Sequence, residues 1–101
     1  MSKSGHVTAK INGIIIAASE KYEVVESNIY FPPESLKTAH FTETKTTTFC
    51  PWKGIASYYT IKVGDEVLED AAWYYPDPKE KALSIKGYVA FYKSKVEIDG
   101  A

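Results

Sequence analysis

A mainly β, single-domain fold is predicted for this chain of 101 residues by three features of its sequence. Asn12-Gly13 stands between the alternating run Val7-Thr8-Ala9-Lys10-Ile11 and the apolar run from Ile14 to Ala18. Both central residues of a two-residue hairpin turn need positive φ, and Asn-Gly supplies that at low cost. From Ile55 to Val63 the residues alternate, with Ile55, Ser57, Tyr59, Ile61 and Val63 on one face and Ala56, Tyr58, Thr60 and Lys62 on the other. Only one segment, beginning at Asp77, carries helix start and stop signals. The expected architecture is therefore a compact antiparallel β-sheet or barrel-like fold with one short α-helix near residues 78–86.

Taken in order, Met1 to Gly5 is polar and reads as a frayed start, which gives a flexible segment over 1–6 and one globular domain over 7–101. After the first hairpin, Tyr22 to Val25 reads as a third strand and Asn28 to Phe31 as a fourth, halted by Pro32-Pro33. Glu34 to Thr42 reads as loop with room for one helical turn. Thr44 to Phe49 is β-branched and suits a strand ending at Cys50-Pro51. The strand Ile55 to Val63 turns at Gly64-Asp65 into Glu66 to Leu68, and Ala71 to Tyr75 forms a further aromatic strand. For the helix, Asp77 suits the N-cap, Pro78 the first helical position, Glu80 the capping box and Gly87 the C-terminal stop. Tyr88 to Tyr92 and Val96 to Ile98 are expected to close the chain as a hairpin around Lys93-Ser94-Lys95.

Composition narrows the function classes. Apolar content of 45% and charged content of 25% are ordinary for a globular domain, and a net charge of −1 leaves no electrostatic footprint for nucleic acid or an anionic membrane. No apolar run reaches the ~20 residues of a membrane span, and no signal peptide opens the sequence, so a cytoplasmic setting is expected. One cysteine and two histidines make a poor set of metal ligands, and neither metal nor cofactor is expected. Phosphate loops, dinucleotide fingerprints and nucleophile elbows are all absent.

The candidate site lies where residues are densest in chemistry. Cys50-Pro51-Trp52-Lys53-Gly54 and Ala72-Trp73-Tyr74-Tyr75-Pro76-Asp77-Pro78 together hold both tryptophans, the single cysteine and three of the five prolines. Cys50 is either a nucleophile activated by Lys53 or His40, or a small buried hydrophobe at a strand end. Lys53 can meet a ligand phosphate or carboxylate, pair with Asp77, or drape over the Trp52 indole. Tyr58 and Tyr59 must point to opposite faces, and Trp73 and Tyr75 wall either a groove or a core. Asp70, Asp77, Glu69 and Glu43 are the carboxylates available as general base, with Asp77 accounted for as a cap.

The order of Tyr30-Phe31-Pro32, Thr48-Phe49-Cys50-Pro51-Trp52-Lys53-Gly54 with Ala56-Ser57-Tyr58-Tyr59, Ala71-Ala72-Trp73-Tyr74-Tyr75-Pro76-Asp77-Pro78 and Gly87-Tyr88-Val89-Ala90-Phe91-Tyr92 resembles one family. It is the family catalogued as domain of unknown function 427, and the likeness runs from about Ala9 to about Gly100. The resemblance implies a compact, mostly-β domain with one short helix. The family also carries a nucleotidyltransferase label, but the Gly-Ser loop and spaced aspartates of that chemistry are missing from this chain. Lys45-Thr46-Thr47-Thr48 stands where family members often have a histidine before the cysteine.

These readings converge on a small-molecule-binding β domain, with Cys50, Trp52, Lys53, Tyr58, Trp73 and Tyr75 lining an aromatic groove. The alternatives are an enzyme using Cys50 as nucleophile, and an interaction module or homodimer. For the last, Val7 to Ile11 and Val96 to Ile98 are the expected open edges.

Overall fold

A computed structural model describes residues 2–100 of the chain. Eight strands carry the fold: β1 (Ser2–Ile11), β2 (Ile14–Val25), β3 (Asn28–Tyr30), β4 (Phe41–Cys50), β5 (Gly54–Val63), β6 (Glu66–Tyr74), β7 (Val89–Phe91) and β8 (Glu97–Gly100). They form two antiparallel sheets, ordered β3-β2-β1-β8 and β4-β5-β6-β7. A bridge between Phe31 and Val89, with reciprocal backbone hydrogen bonds of 2.8 Å, joins β3 to β7 and curls the whole into an open half-barrel.

The longer strands come from merging what alternation alone separates. The Ile14 to Ala18 and Tyr22 to Val25 runs are one strand, β2. Glu66 to Leu68 and Ala71 to Tyr75 likewise fall within one strand ending at Tyr74, interrupted by a bulge where Asp70 takes φ +48. Pairing also begins at Ser2, opposite Glu23, ahead of the Val7 start read from the pattern. Asn12 and Gly13 both have positive φ, as the hairpin turn requires.

Two parts of the sequence reading are corrected. The segment after Asp77 is not an α-helix but 3-10 turns over Glu80–Ile85, kinked at Ala82, with Lys79 at the cap position and no side-chain cap bond from Asp77. The chain there is tied at Lys79 N–H to the Lys53 carbonyl (2.8 Å) and at Gly87 N–H to the Tyr75 carbonyl (3.0 Å). Held at both ends by those ties, the segment buries Ala82 and Ile85 through 3-10 turns rather than a regular helix. Nor do the last two strands form a hairpin. After Phe91 the chain turns at Tyr92, buries Val96, and crosses to the other sheet, where β8 pairs with β1. Consequently Val7 to Ile11 lies inside a sheet; among the described residues the edges are β8 and β4.

Cross-strand partners share a face, which gives the β4–β7 sheet two apolar sides. Tyr59, Ala72 and Phe91 pair across β5, β6 and β7 and pack into the core between the sheets with Val7, Ile16 and Phe31. Tyr58, Trp73 and Ala90 pair on the opposite side, in a second cluster with Tyr30, Tyr75, Ala82 and Ile85. The tyrosine pair does point to opposite faces, and each tyrosine packs on a different core. Phe31, fully buried and edge-to-face with Phe91 at 5.4 Å, belongs to the joint between the sheets. Phe31→Ala should therefore lower unfolding free energy by about 3–5 kcal/mol in urea titrations. Thr47→Ala, at an exposed position of β4, should stay within about 0.5 kcal/mol.

Candidate functional site

The two dense stretches meet in space because a tight turn and an extended loop stack on one another. Cys50 and Gly54 pair across the β4–β5 connection, and Gly54 sits at φ +112, a region other residues rarely adopt. Its bare Cα lets the Asp77–Lys79 backbone lie against it: a Cβ built there would be 3.6 Å from the Asp77 carbonyl oxygen. Lys79 then clamps the turn, its Nζ donating to the Pro51 carbonyl at 2.7 Å.

At this junction Lys53 is enclosed rather than exposed. Its side chain is 7% accessible, with Nζ 5.3 Å from the Trp52 ring centroid and 5.5 Å from that of Tyr75. The ammonium donates to Glu26, not to Asp77. Trp52 Nε1–H donates to the second Glu26 oxygen at 3.3 Å, so one carboxylate binds both residues of the turn. Glu26 comes from the β2–β3 connection, where it and Ser27 have φ of +52 and +65. Its side chain is 53% accessible, so the buried cation faces an open counter-ion.

Electrostatics at the corner follow from that geometry. Burial works against the Lys53 charge, but the Glu26 hydrogen bond and the Tyr30 and Tyr75 hydroxyls outweigh it and raise its pKa. Glu26 is held below the ordinary carboxylate value by its hydrogen bonds from Lys53 and Trp52. Burial raises both Tyr30 and Tyr75. Cys50, half-buried, packs against this second cluster.

Of the six expected ligand-binding residues, Cys50, Tyr58, Trp73 and Tyr75 belong to or pack on the second cluster, while Trp52 and Lys53 join it through Tyr75 and Glu26. Lys53, Tyr58 and Tyr75 are buried, Trp73 and Cys50 are half-buried, and Trp52 is exposed. Residues that pattern reading missed complete the arrangement. Tyr30 accepts a bond from Trp73 Nε1–H at 3.2 Å. Thr48, Tyr58 and Tyr92 form a hydroxyl chain, 3.0 Å between the first two and 3.4 Å between the last two. Asp70, one of the carboxylates considered from the sequence as a general base, instead sits at its bulge and accepts from the Thr44 and Thr46 hydroxyls at 2.7 and 2.8 Å. Glu26 carried no local signal, since its partner is 27 residues away. His40 is not beside Cys50; its Nδ1 bonds to the Lys62 carbonyl at 2.8 Å. Glu43 accepts from the Tyr74 hydroxyl at 2.9 Å. Among the described residues, no three His, Cys, Asp or Glu side chains gather in a set able to hold a metal ion. Nor, among them, is any helix long and apolar enough to cross a membrane.

A second surface opens on the other side of the junction. Phe49 and Ile55, 66% and 57% exposed, line an apolar cleft of about 300 Å³ with Pro76, Asp77 and Lys79.

The pH dependence has two limbs. Glu26 and Asp70 are depressed by their hydrogen bonds, so their stabilisation is full above the unfolded carboxylate values and is lost as pH falls through the folded ones. Lys53, Tyr30 and Tyr75 are raised, and Tyr92 is pushed up to about 12 by its bond with Tyr58 and by burial, so their contribution is lost as pH rises above roughly 10. In denaturant midpoints measured against pH, Lys53→Met should flatten the acid limb by releasing Glu26. An unaltered limb would detach Glu26 from Lys53. In an ultraviolet titration, Tyr58→Phe should bring the Tyr92 transition down from about 12 towards the ordinary tyrosine value.

A search of the curated proteins finds none that matches the chain. The family model described as Domain of unknown function (DUF427) matches residues 1–100. With nearly its whole length covered by that model, the chain belongs to the DUF427 family.

Proposed function

We propose that the domain binds a small molecule carrying a carboxylate or phosphate, with Lys53 as the cation that receives it and Trp52 and Tyr75 as the flanking rings. The observation that carries this reading is the asymmetry of the Lys53–Glu26 pair: a 7% accessible ammonium held by a 53% accessible carboxylate. An ion pair of this kind adds little net stability, because desolvating the cation offsets the attraction. Glu26 also occupies a left-handed backbone region, at a cost of about 1–2 kcal/mol for a residue with a Cβ. A buried cation whose counter-ion is open to solvent and carried on a left-handed backbone suits a binding site better than a scaffold. In this reading the Glu26 carboxylate marks the place of the ligand anion and swings out to solvent when the ligand arrives.

The ligand's body would lie along the half-exposed aromatic side of the second cluster, where Thr48, Tyr58 and Tyr92 offer hydroxyls and Trp73 and Tyr92 offer ring surface. Cys50 borders this region and would contact the ligand. A nucleophilic role for Cys50 has less support, because neither histidine stands near it as a base: His6 bonds to Glu20 and His40 to Lys62.

The test is a melting-temperature screen of small carboxylic and phosphoric acids against the native protein, Glu26→Gln and Lys53→Met. A ligand that stabilises the native protein should bind Glu26→Gln about tenfold more tightly, the equivalent of ~1.4 kcal/mol of removed competition. It should lose its effect on Lys53→Met. Equal binding by folded Lys53→Met, or silence across the screen in Glu26→Gln, would overturn the proposal.

A further inference from the structure

The apolar cleft of about 300 Å³ beside the β4–β5 turn borders Gly54 but does not include the Lys53 side chain. Its volume sits at the small end of ligand pockets. Phe49 and Ile55 are direct cross-strand partners, so both side chains stand on one face of the sheet. Ile55 shares that face with Tyr59, which packs into the core between the sheets. The core-facing side of β5 thus runs on past the end of its cover. It leaves two large apolar side chains side by side and mostly in water. Pro76, Asp77 and Lys79 complete the cleft around them.

The walls are held in advance. The Lys79 N–H is tied to the Lys53 carbonyl at 2.8 Å and its Nζ to the Pro51 carbonyl at 2.7 Å. Pro76 and Pro78 fix φ on either side of Asp77, and Gly54 lets that backbone lie against the turn. A ligand entering such a site has little protein to order. The two charges at the rim differ in their freedom. Lys79 is committed to Pro51, with its ammonium 5.3 Å from the Phe49 ring centroid. Asp77 has the composition of a helix cap, yet no capping bond forms. Among the described residues its carboxylate, exposed at the cleft, makes no hydrogen bond or ion pair. Apolar walls beside one open carboxylate complement an apolar body with a positively charged head.

From this we infer that the cleft is a second ligand site, taking a small free amine with an aromatic or branched alkyl body. The body lies against Phe49, Ile55 and Pro76, and Asp77 receives the ammonium. The site rests on other side chains than the anion site at Lys53, and either stands or falls without the other.

Amide chemical shifts of the isotopically labelled protein test it, in titrations with phenethylamine, phenethyl alcohol and phenylpropionate at neutral pH and constant ionic strength. The three probes have closely similar bodies and differ in the charge of the head. Saturable shifts with the amine are expected at Phe49, Gly54, Ile55, Asp77 and Lys79. The amine should bind about three- to fivefold more tightly than the alcohol, as an exposed ion pair allows, and the carboxylate most weakly. Asp77→Asn should reduce the amine to the affinity of the alcohol, and Phe49→Ala should weaken both. Both positions are exposed, so each variant should keep its spectrum elsewhere. Asp65→Asn, at the β5–β6 turn, should leave the preference unchanged. Shifts that never saturate up to tens of millimolar, or an alcohol or carboxylate bound as tightly as the amine, would overturn the assignment. So would an amine preference that survives Asp77→Asn, or binding that Phe49→Ala leaves intact.

Discussion

The seam between Phe31 and Val89 is the constraint on which the remaining arrangement depends. Two backbone hydrogen bonds there turn a pair of four-stranded sheets into one curled surface. Glu26 and Tyr30 belong to the β2–β3 side of that seam, while Lys53, Trp73 and Tyr75 belong to the other. Separate the sheets and the buried ammonium loses its counter-ion and the Trp73 indole its acceptor. The seam is shielded by Phe31, Val89 and Phe91, all almost wholly buried, and shielding from water is what makes a backbone bond expensive to break.

A sheet packed on both faces asks more of its sequence than an ordinary half-buried one. In β5 and β6, residues on each side must be apolar, yet the tyrosines and tryptophan put polar tips at the rim of the second cluster. The bulges at Asp70 and at Thr44 to Thr46 fall beside one another on β6 and β4, with β5 between them. Asp70 closes that gap by accepting from both threonines, and its own N–H donates to Thr60 at 3.2 Å. What looks like a break in two strands is thus a hydrogen-bonded patch, with the left-handed Asp70 as its hub.

Much of the β architecture was readable from local pattern. The Asn12-Gly13 turn, the β5 alternation and the stop at Pro32-Pro33 all depend on residues adjacent in sequence, where turn stereochemistry and side-chain period act directly. The 78–86 segment misled for a physical reason: its capping residues are those of a helix, but ties to Lys53 and Tyr75 override local preference. The destination of the last strand was equally hidden, since a hairpin and a crossover share the same apolar pattern. At the site, pattern found the residues of the two dense stretches because rare side chains are conspicuous. It could not find Glu26, Tyr30 or Tyr92, whose roles come from contacts between distant segments. Sequence alone leaves Lys53 open to a ligand anion, to Asp77 or to the Trp52 indole; its enclosure by two rings and the Glu26 carboxylate arises only once the sheets are joined.

The outer strand β4 has a consequence beyond the site. It is ten residues long, rich in threonine, and carries few charges, which would ordinarily make it a template for stray strands. The interruption between Glu43 and Thr47 divides its outward row of donors and acceptors into two short pieces, and Lys45 sits in the gap. An incoming strand would find only a few consecutive partners before its register failed. The same kink that gathers hydroxyls around Asp70 therefore also serves colloidal stability, letting a crowded solution of this protein resist fibrous association without proline or a covering helix.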